Sequence, residues 1–166
     1  MTGRSTGGGA RDSEAKRAAR AAGLAASSGL NAVKTAYRAG LALRPGHRYT
    51  VSVDLDGHFS GIEANAARWD YGIGCVGETG KESVVWVEAH PASSTGEVQK
   101  MLYKLAWLRS KLDLPEFVPL KKLAHEGAPF RWLAMTGAVH ILPNSHEARR
   151  LARAGLSPPQ RRIDLP

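Results

Sequence analysis

Two acidic residues on neighbouring predicted strands are the groups of this sequence best suited to chemistry. Asp70 lies in a predicted strand over 69–76, and Glu88 lies near the end of a predicted strand over 83–89. Carboxylates that adjacent strands bring together can hold a divalent cation through their oxygen atoms. A cation held in this way can activate water for attack on a phosphodiester. Asp70 and Glu88 are therefore a candidate metal-binding pair.

A predicted amphipathic helix follows the second acidic strand directly. Ser94 and Glu97 have the spacing of a capping box, and Leu114-Pro115 predicts the end of the helix. Four polar side chains flank its apolar stripe and are candidates for contact with a substrate or a phosphate: Gln99, Lys100, Tyr103 and Lys104. The stripe itself consists of Val98, Met101, Leu102, Leu105, Leu108 and Leu112.

The elements that must position these groups follow from hydrophobic periodicity. The other predicted elements, in chain order, are helix 13–26 (with Ser13 as N-cap), helix 28–43, strand 48–56, strand 130–142 and helix 145–154. Three strands joined by short turns predict an antiparallel meander, and the helix after them predicts a crossover to a fourth strand. The expected fold class is α/β with one main sheet.

The length and composition predict one globular domain with basic ends. We expect a basic Gly/Ala/Arg-rich tail over 1–27 that is partly disordered, a single domain over 28–155, and a Pro/Arg tail over 156–166. Residues 1 to about 12 carry nothing to bury. No apolar run is long enough to span a membrane. Cys75 is the sole cysteine, which excludes an internal disulfide, and a cytoplasmic location is the expectation.

The charge of the chain is divided unevenly along its length. The net charge is +7 over residues 1–50, −2 over 51–125 and +3 over 126–166, which gives the total of +8. Basic ends around a mildly acidic middle fit a polyanion such as DNA or RNA, because Lys and Arg displace counterions from phosphates. The same charges also fit soluble tails that bind nothing. Both interpretations remain open from composition.

The chain resembles the PD-(D/E)XK nuclease superfamily in its order of elements and in its acidic positions. That family has a restriction-endonuclease-like core: a helix, a three-stranded antiparallel meander, a crossover helix and a fourth strand. Its signature is an acid on the second strand, matched here by Asp70, and Glu-x-Lys on the third, matched by Glu88-Ala-His90 with His in place of Lys. Gln99 and Tyr103 have the Gln-x-x-x-Tyr spacing of the recombination-exonuclease branch. The resemblance extends over residues 28–142.

The resemblance implies a role for each matching residue. Asp70 and Glu88 would bind Mg²⁺ or Mn²⁺, with the Ala89 carbonyl as a further ligand. Gln99 and Tyr103 would face the substrate or support the site. The family's lysine orients water and stabilises charge on phosphorus. His90 could act as base or ligand, but it lacks a permanent positive charge, which Lys100 could supply from the helix.

Other readings of the acidic residues give different chemistry. Asp54-Leu-Asp56-Gly is similar to the nucleophile strand of haloacid dehalogenase phosphatases, although His58 stands near the position of their Thr. Asp54, Asp70 and Glu88 could instead form an RNase H-like cluster, which needs a further carboxylate on a later helix, where Glu147 fits poorly. Cys75 lies in an apolar strand, where a buried small side chain is the ordinary role.

Two functions follow from these patterns. The first is metal-dependent hydrolysis of phosphodiester bonds in nucleic acid by a nuclease-like protein, with the basic ends holding the phosphate backbone. The second is a catalytically inactive nuclease fold that binds nucleic acid or a protein as a subunit of a larger complex. The replacement of Lys by His90 favours the second, and the acid pair with Gln99 and Tyr103 favours the first. No membrane partner is expected.

Overall fold

The computed structural model describes residues 11–135 and 137–166 of the chain. We expected residues 1 to about 12 to be disordered. Most of that segment, residues 1–10, lies outside the described residues. In chain order the helices and strands are α1 (Glu14–Ala21), β1 (Ala26–Ser28), α2 (Thr35–Arg38), β2 (Leu41–Leu43), β3 (Arg48–Asp54), α3 (Leu55–Phe59), β4 (Tyr71–Val76), β5 (Glu82–His90), α4 (Gly96–Leu112), a 3₁₀ turn (Pro115–Phe117), α5 (Val118–Lys121), β6 (Phe130–Ala134), α6 (His146–Ala154) and β7 (Ile163–Leu165).

The protein has a mixed α/β fold with a five-stranded, mainly antiparallel sheet. The strand order is β1-β3-β4-β5-β6, and β2 pairs with β7 in a separate two-stranded sheet. Strands β3, β4 and β5 form the predicted antiparallel meander. Helix α4 then crosses over, so that β6 lies parallel to β5. The α/β class, the meander and the crossover are therefore confirmed.

The alternation of side chains along β5 assigns each face of the sheet to a different layer. Val84 and Trp86 belong to the larger core cluster, which also contains the buried residues of α1 and α4. Val85 and Val87 belong to the second cluster, which contains Ile163 of β7. Because side chains on a strand alternate between faces, Glu88 shares the face of Val84 and Trp86 and lies on the side of α4.

The predicted helix over 28–43 is wrong. Ser28 is the last residue of β1, and only α2 in this stretch is helical. Gly29 follows with φ +56°, a left-handed conformation that cannot continue a right-handed helix. Val33 and Leu41 are buried in the second core cluster from a turn and a strand. Their helical spacing therefore reflects burial but not a continuous helix.

Two smaller predictions about element ends are also wrong. The fourth strand ends at Ala134 and does not continue to residue 142. Helix α4 begins after Thr95 with no side-chain cap, so the expected capping box at Ser94 does not form. By contrast, the side chains of Ser13 and Ser145 accept the capping bonds of α1 and α6, as predicted.

The two terminal segments pack onto the domain. In α1 the buried residues are Ala15, Ala18 and Ala19, whose small side chains let the helix approach the sheet closely. The segment 156–166, expected to form a tail, contributes β7, where Ile163 and Leu165 are buried. Among the helices of residues 11–135 and 137–166, none is long and apolar enough to cross a membrane.

Candidate functional site

Glu88 is the centre of a buried polar cluster between the sheet and α4. Its side chain is only 1% exposed and follows the buried apolar run 84–87 of β5. One carboxylate oxygen, Oε2, accepts a hydrogen bond from the backbone N–H of Asp70 at 2.7 Å. The other, Oε1, lies 2.5 Å from the Lys104 Nζ. A buried charge is costly unless it is paired, and Glu88 has both a donor and a cation.

Asp70 immediately precedes β4 and lies opposite Glu88 of β5. Tyr71, the first residue of β4, pairs with Val87 in the antiparallel register, so Asp70 faces Glu88. The Asp70 Oδ2 accepts a hydrogen bond from the backbone N–H of Ala89 at 3.1 Å. Each of the two carboxylates is thus bonded to the backbone of the other's strand. The structure therefore brings Asp70 and Glu88 together on the same face of the sheet.

The proximity of the two acids changes their titration. Burial and the negative charge of Asp70 together raise the pKa of Glu88 to about 8, although Lys104 and the Asp70 N–H act in the opposite direction. Burial also raises the pKa of Asp70, and Lys104 and the Ala89 N–H oppose that shift. The fully ionised pair is therefore unfavourable in the folded protein. A bound cation would stabilise the ionised pair, as a nearby positive charge does for any carboxylate.

Lys104 reaches the carboxylates from α4. Its ammonium lies between the Glu88 Oε1 and the backbone carbonyl of Arg68, to which it donates at 2.8 Å. Lys100, one turn earlier on the same helix, is 65% exposed and pairs with Glu97 at 3.2 Å. The structure therefore brings Lys104, and not Lys100, to the acid pair. Lys104 follows the buried Met101 by three residues and precedes the buried Leu108 by four, so its place beside the core stripe was readable from the sequence.

His90 links the acid pair to a second polar group at the start of α4. Its Nδ1 lies 3.9 Å from the Glu88 Oε1, and its Nε2 lies 2.5 Å from the Glu97 Oε2. The backbone carbonyl of His90 accepts a hydrogen bond from the Trp132 indole at 2.8 Å, which fixes this end of β5. Burial acts to raise the pKa of Glu97, but the hydrogen bonds from His90 and Lys100 outweigh it and lower the pKa. His90 therefore connects Glu88 to a carboxylate nearer the surface.

Gln99 and Tyr103 lie on the outer part of α4. The Gln99 Oε1 accepts a hydrogen bond from the guanidinium of Arg150 on α6. Tyr103 is 62% exposed, which is unusual for an aromatic side chain on a packed helix. Arg150 was not anticipated as part of this region, because nothing in the sequence relates α6 to α4.

The remaining acids of the region have structural partners. Asp54 caps α3 by accepting from the Gly57 N–H at 2.8 Å, and Asp56 pairs with Arg68 at 2.9 Å. The structure therefore gives Asp54 a capping role and Asp56 a role in an ion pair. Within residues 11–135 and 137–166, no group of three or more His, Cys, Asp or Glu side chains is arranged to hold a metal ion. An RNase H-like cluster of carboxylates is thus not formed there.

Cys75 is unsuited to nucleophilic chemistry. Its side chain is 1% exposed within the second core cluster. Burial and, to a smaller extent, the negative charge of Glu82 raise the pKa of its thiol to about 12, so the thiolate is scarce at neutral pH. Its role is that of a small buried side chain.

Comparison with models of protein families, with curated proteins and with solved structures found no match to this chain. The function must therefore be inferred from the arrangement of its own side chains.

Proposed function

We propose that this protein is a metal-dependent nuclease with a restriction-endonuclease-like core. The observation that carries the proposal is the cluster of Asp70, Glu88 and Lys104, in which two facing carboxylates and one ammonium lie at the ends of paired strands. Two acids and one lysine are the residue types that the PD-(D/E)XK signature requires. Here the lysine comes from α4, and His90 stands on β5 at the position where the signature has its lysine.

The topology supports the same proposal. In the PD-(D/E)XK core a helix precedes the meander, and a crossover helix leads to a fourth strand. The corresponding elements here are α1, the meander β3-β4-β5, the crossover α4 and the parallel strand β6. The first helix of that core is then α1, because residues 28–43 form no continuous helix.

The donor atoms of the cluster suit Mg²⁺ or Mn²⁺. Hard divalent cations prefer oxygen ligands, and Asp70 and Glu88 provide carboxylate oxygens. The Lys104 ammonium already bridges the Glu88 carboxylate and the Arg68 carbonyl, so oxygen atoms converge on a positive charge at this point. When bound, a divalent cation polarises a phosphate and lowers the pKa of water. Asp70 and Glu88 would hold it.

The chain's own residues then have distinct roles. Lys104 stabilises the negative charge that develops on the phosphate oxygens, since a preorganised cation in a buried site acts strongly there. His90 accepts a proton from the attacking water and can pass it toward Glu97, its hydrogen-bond partner. Because the strand lacks a lysine, the permanent positive charge comes from the helix.

A second function is favoured by one feature of the same cluster. The Lys104 ammonium lies close to Glu88, where a metal ion would otherwise neutralise the carboxylate. If Lys104 keeps that place, the protein is an inactive nuclease fold that binds nucleic acid or a protein within a larger complex. The two candidates differ in whether cation binding displaces the ammonium.

Cleavage of labelled single- and double-stranded DNA and RNA tests the proposal. We expect cutting with Mn²⁺ or Mg²⁺, none with EDTA, and none by Glu88→Gln or Asp70→Asn under any condition. Glu126→Gln, a change at a carboxylate on the surface, is the matched control and should cut normally. Absence of cutting by the wild type with every substrate would reject the nuclease and leave the inactive fold.

A further inference from the structure

Helix α6 carries three arginines, Arg149, Arg150 and Arg153. Arg149 and Arg153 are exposed, and Arg150 is half-buried beside α4. Two of them donate to neutral oxygens: Arg149 to the Asn144 carbonyl at 2.9 Å, and Arg150 to the Gln99 side chain. Within residues 11–135 and 137–166, none of these three arginines forms an ion pair.

The basic residues of α1 provide a contrast within the same chain. Lys16 and Arg20 both pair with Asp12, so their charges are partly neutralised. Positive charges that repel one another without compensation cost stability, and a surface that keeps them fits an anionic partner. Helix α6 is therefore the better candidate for binding phosphates.

An exposed aromatic side chain lies between this helix and the acid cluster. Tyr103 lies one turn after Gln99 on α4, and Gln99 contacts Arg150 of α6. Lys104, the neighbour of Tyr103, reaches Glu88 on the other side of the same helix. A path from the arginines to Glu88 thus crosses the outer surface of α4, a width of about 10 Å.

We propose that Arg149, Arg150 and Arg153 of α6, together with Tyr103 of α4, form a surface that binds single-stranded nucleic acid and leads it to the acid cluster. The exposed Arg149 and Arg153 suit the phosphate backbone. An exposed aromatic ring suits an unpaired base, because stacking requires a base face that a duplex does not expose. This inference rests on the proposed function, which makes the acid cluster the place to which the bound nucleic acid leads.

The binding test uses the Glu88→Gln background with EDTA, so that no cleavage can occur. Fluorescence anisotropy measures the binding of a labelled single-stranded oligonucleotide and of the matching duplex at several salt concentrations. We expect the single strand to bind more tightly. Replacing Arg149 and Arg153 with Gln should weaken binding and reduce the slope of log affinity against log salt by about 1.4, which is about 0.7 per phosphate contact. Tyr103→Leu should weaken single-strand binding about tenfold and leave duplex binding unchanged.

The matched control replaces Lys16 and Arg20 with Gln, which removes the same charge from α1. Circular dichroism and thermal unfolding establish that each variant folds. Equal losses of binding affinity in the two double variants would contradict the proposal, because binding would then depend only on the net charge of the protein. A heparin oligosaccharide that binds as tightly as the oligonucleotide, with no effect of Tyr103→Leu, would also overturn it.

The outcomes separate this proposal from the nuclease. Specific single-strand binding without metal-dependent cutting by the Glu88-containing protein would support the surface and reject the enzyme. Cutting with no effect of the α6 or Tyr103 variants on binding would support the enzyme and reject the surface.

Discussion

Glu88 makes the stability of this protein depend on pH in an unusual direction. Its pKa lies at about 8 in the folded protein, against the ordinary 4.5, because of burial and the nearby Asp70. A carboxyl whose folded pKa is raised holds its proton more tightly in the folded state. The contribution of Glu88 to the free energy of unfolding is therefore highest below pH 4.5. It falls as the pH rises from 4.5 through about 8.

The magnitude follows from the shift. At about 1.4 kcal/mol per pKa unit, full ionisation of Glu88 costs about 5 kcal/mol, of which about 3 kcal/mol falls between pH 5.5 and 8.5. Urea unfolding at pH 5.5, 7 and 8.5 measures the loss in the wild type. The Glu88→Gln side chain cannot ionise, so the free energy of unfolding of this variant should fall by about 3 kcal/mol less than that of the wild type over the same pH range. Glu126→Gln, at a carboxylate whose side chain is 86% exposed, should follow the wild type.

Parallel curves for the wild type and Glu88→Gln would refute this reasoning, because the slope could not then come from Glu88. So would a wild type that becomes more stable between pH 5.5 and 8.5. Added Mg²⁺ gives a further check. Since a cation favours the ionised carboxylate, it should raise the melting temperature more at pH 8.5 than at pH 5.5.

The remaining predictions concern other parts of the account. Lys104→Met should reduce metal-dependent cleavage about 100-fold or more, whereas Lys100→Met, one turn away, should change it less than about threefold. Single-turnover rates measure both, and equal losses would contradict the assignment. Gly72→Ala places a methyl group 2.6 Å from the Trp86 ring, so it should destabilise the fold by about 1–3 kcal/mol in urea unfolding. Ile163→Ala should cost about 2–5 kcal/mol, because this residue of β7 is fully buried; a loss below about 0.5 kcal/mol would mean that β7 is not part of the core.

The central part of the fold could be predicted because its patterns are local. In strand β3, Val51 and Val53 are buried as the alternation requires, although Ser52 between them is buried as well. Five apolar residues of α4 recur at helical spacing and are buried together, and Leu102 of the predicted stripe is partly buried. The register of the meander then places Asp70 opposite Glu88. These features depend on residues close together in the sequence.

The segment over 28–43 could not be predicted because its partner is distant. Leu41 pairs with Ile163, which lies more than a hundred residues later in the chain. A window of the sequence around 28–43 contains no sign of that strand. Burial in the second core cluster makes its residues apolar at intervals that resemble those of a helix, and Gly29, with its positive φ, is a local signal against a helix.

The polar contacts of the site were only partly predictable. Two acids on adjacent strands are a pattern that the sequence displays. The contact between Lys104 and the Arg68 carbonyl depends on how the connection before β4 passes over α4, and connections of this kind follow no periodicity. The hydrogen bond between Arg150 and Gln99 depends on the packing of α6 against α4. That packing also follows no periodicity of the sequence.

Binding of Mn²⁺ tests most directly whether Asp70 and Glu88 form a metal site. Electron paramagnetic resonance of Mn²⁺ at pH 8 measures the free ion as protein is added, with Asp70→Asn, Glu88→Gln and Glu126→Gln in parallel. The account predicts one bound Mn²⁺ for each wild-type and Glu126→Gln chain and a large loss of binding in the other two variants. A wild type that leaves Mn²⁺ free, or binding that survives both site variants, would contradict it.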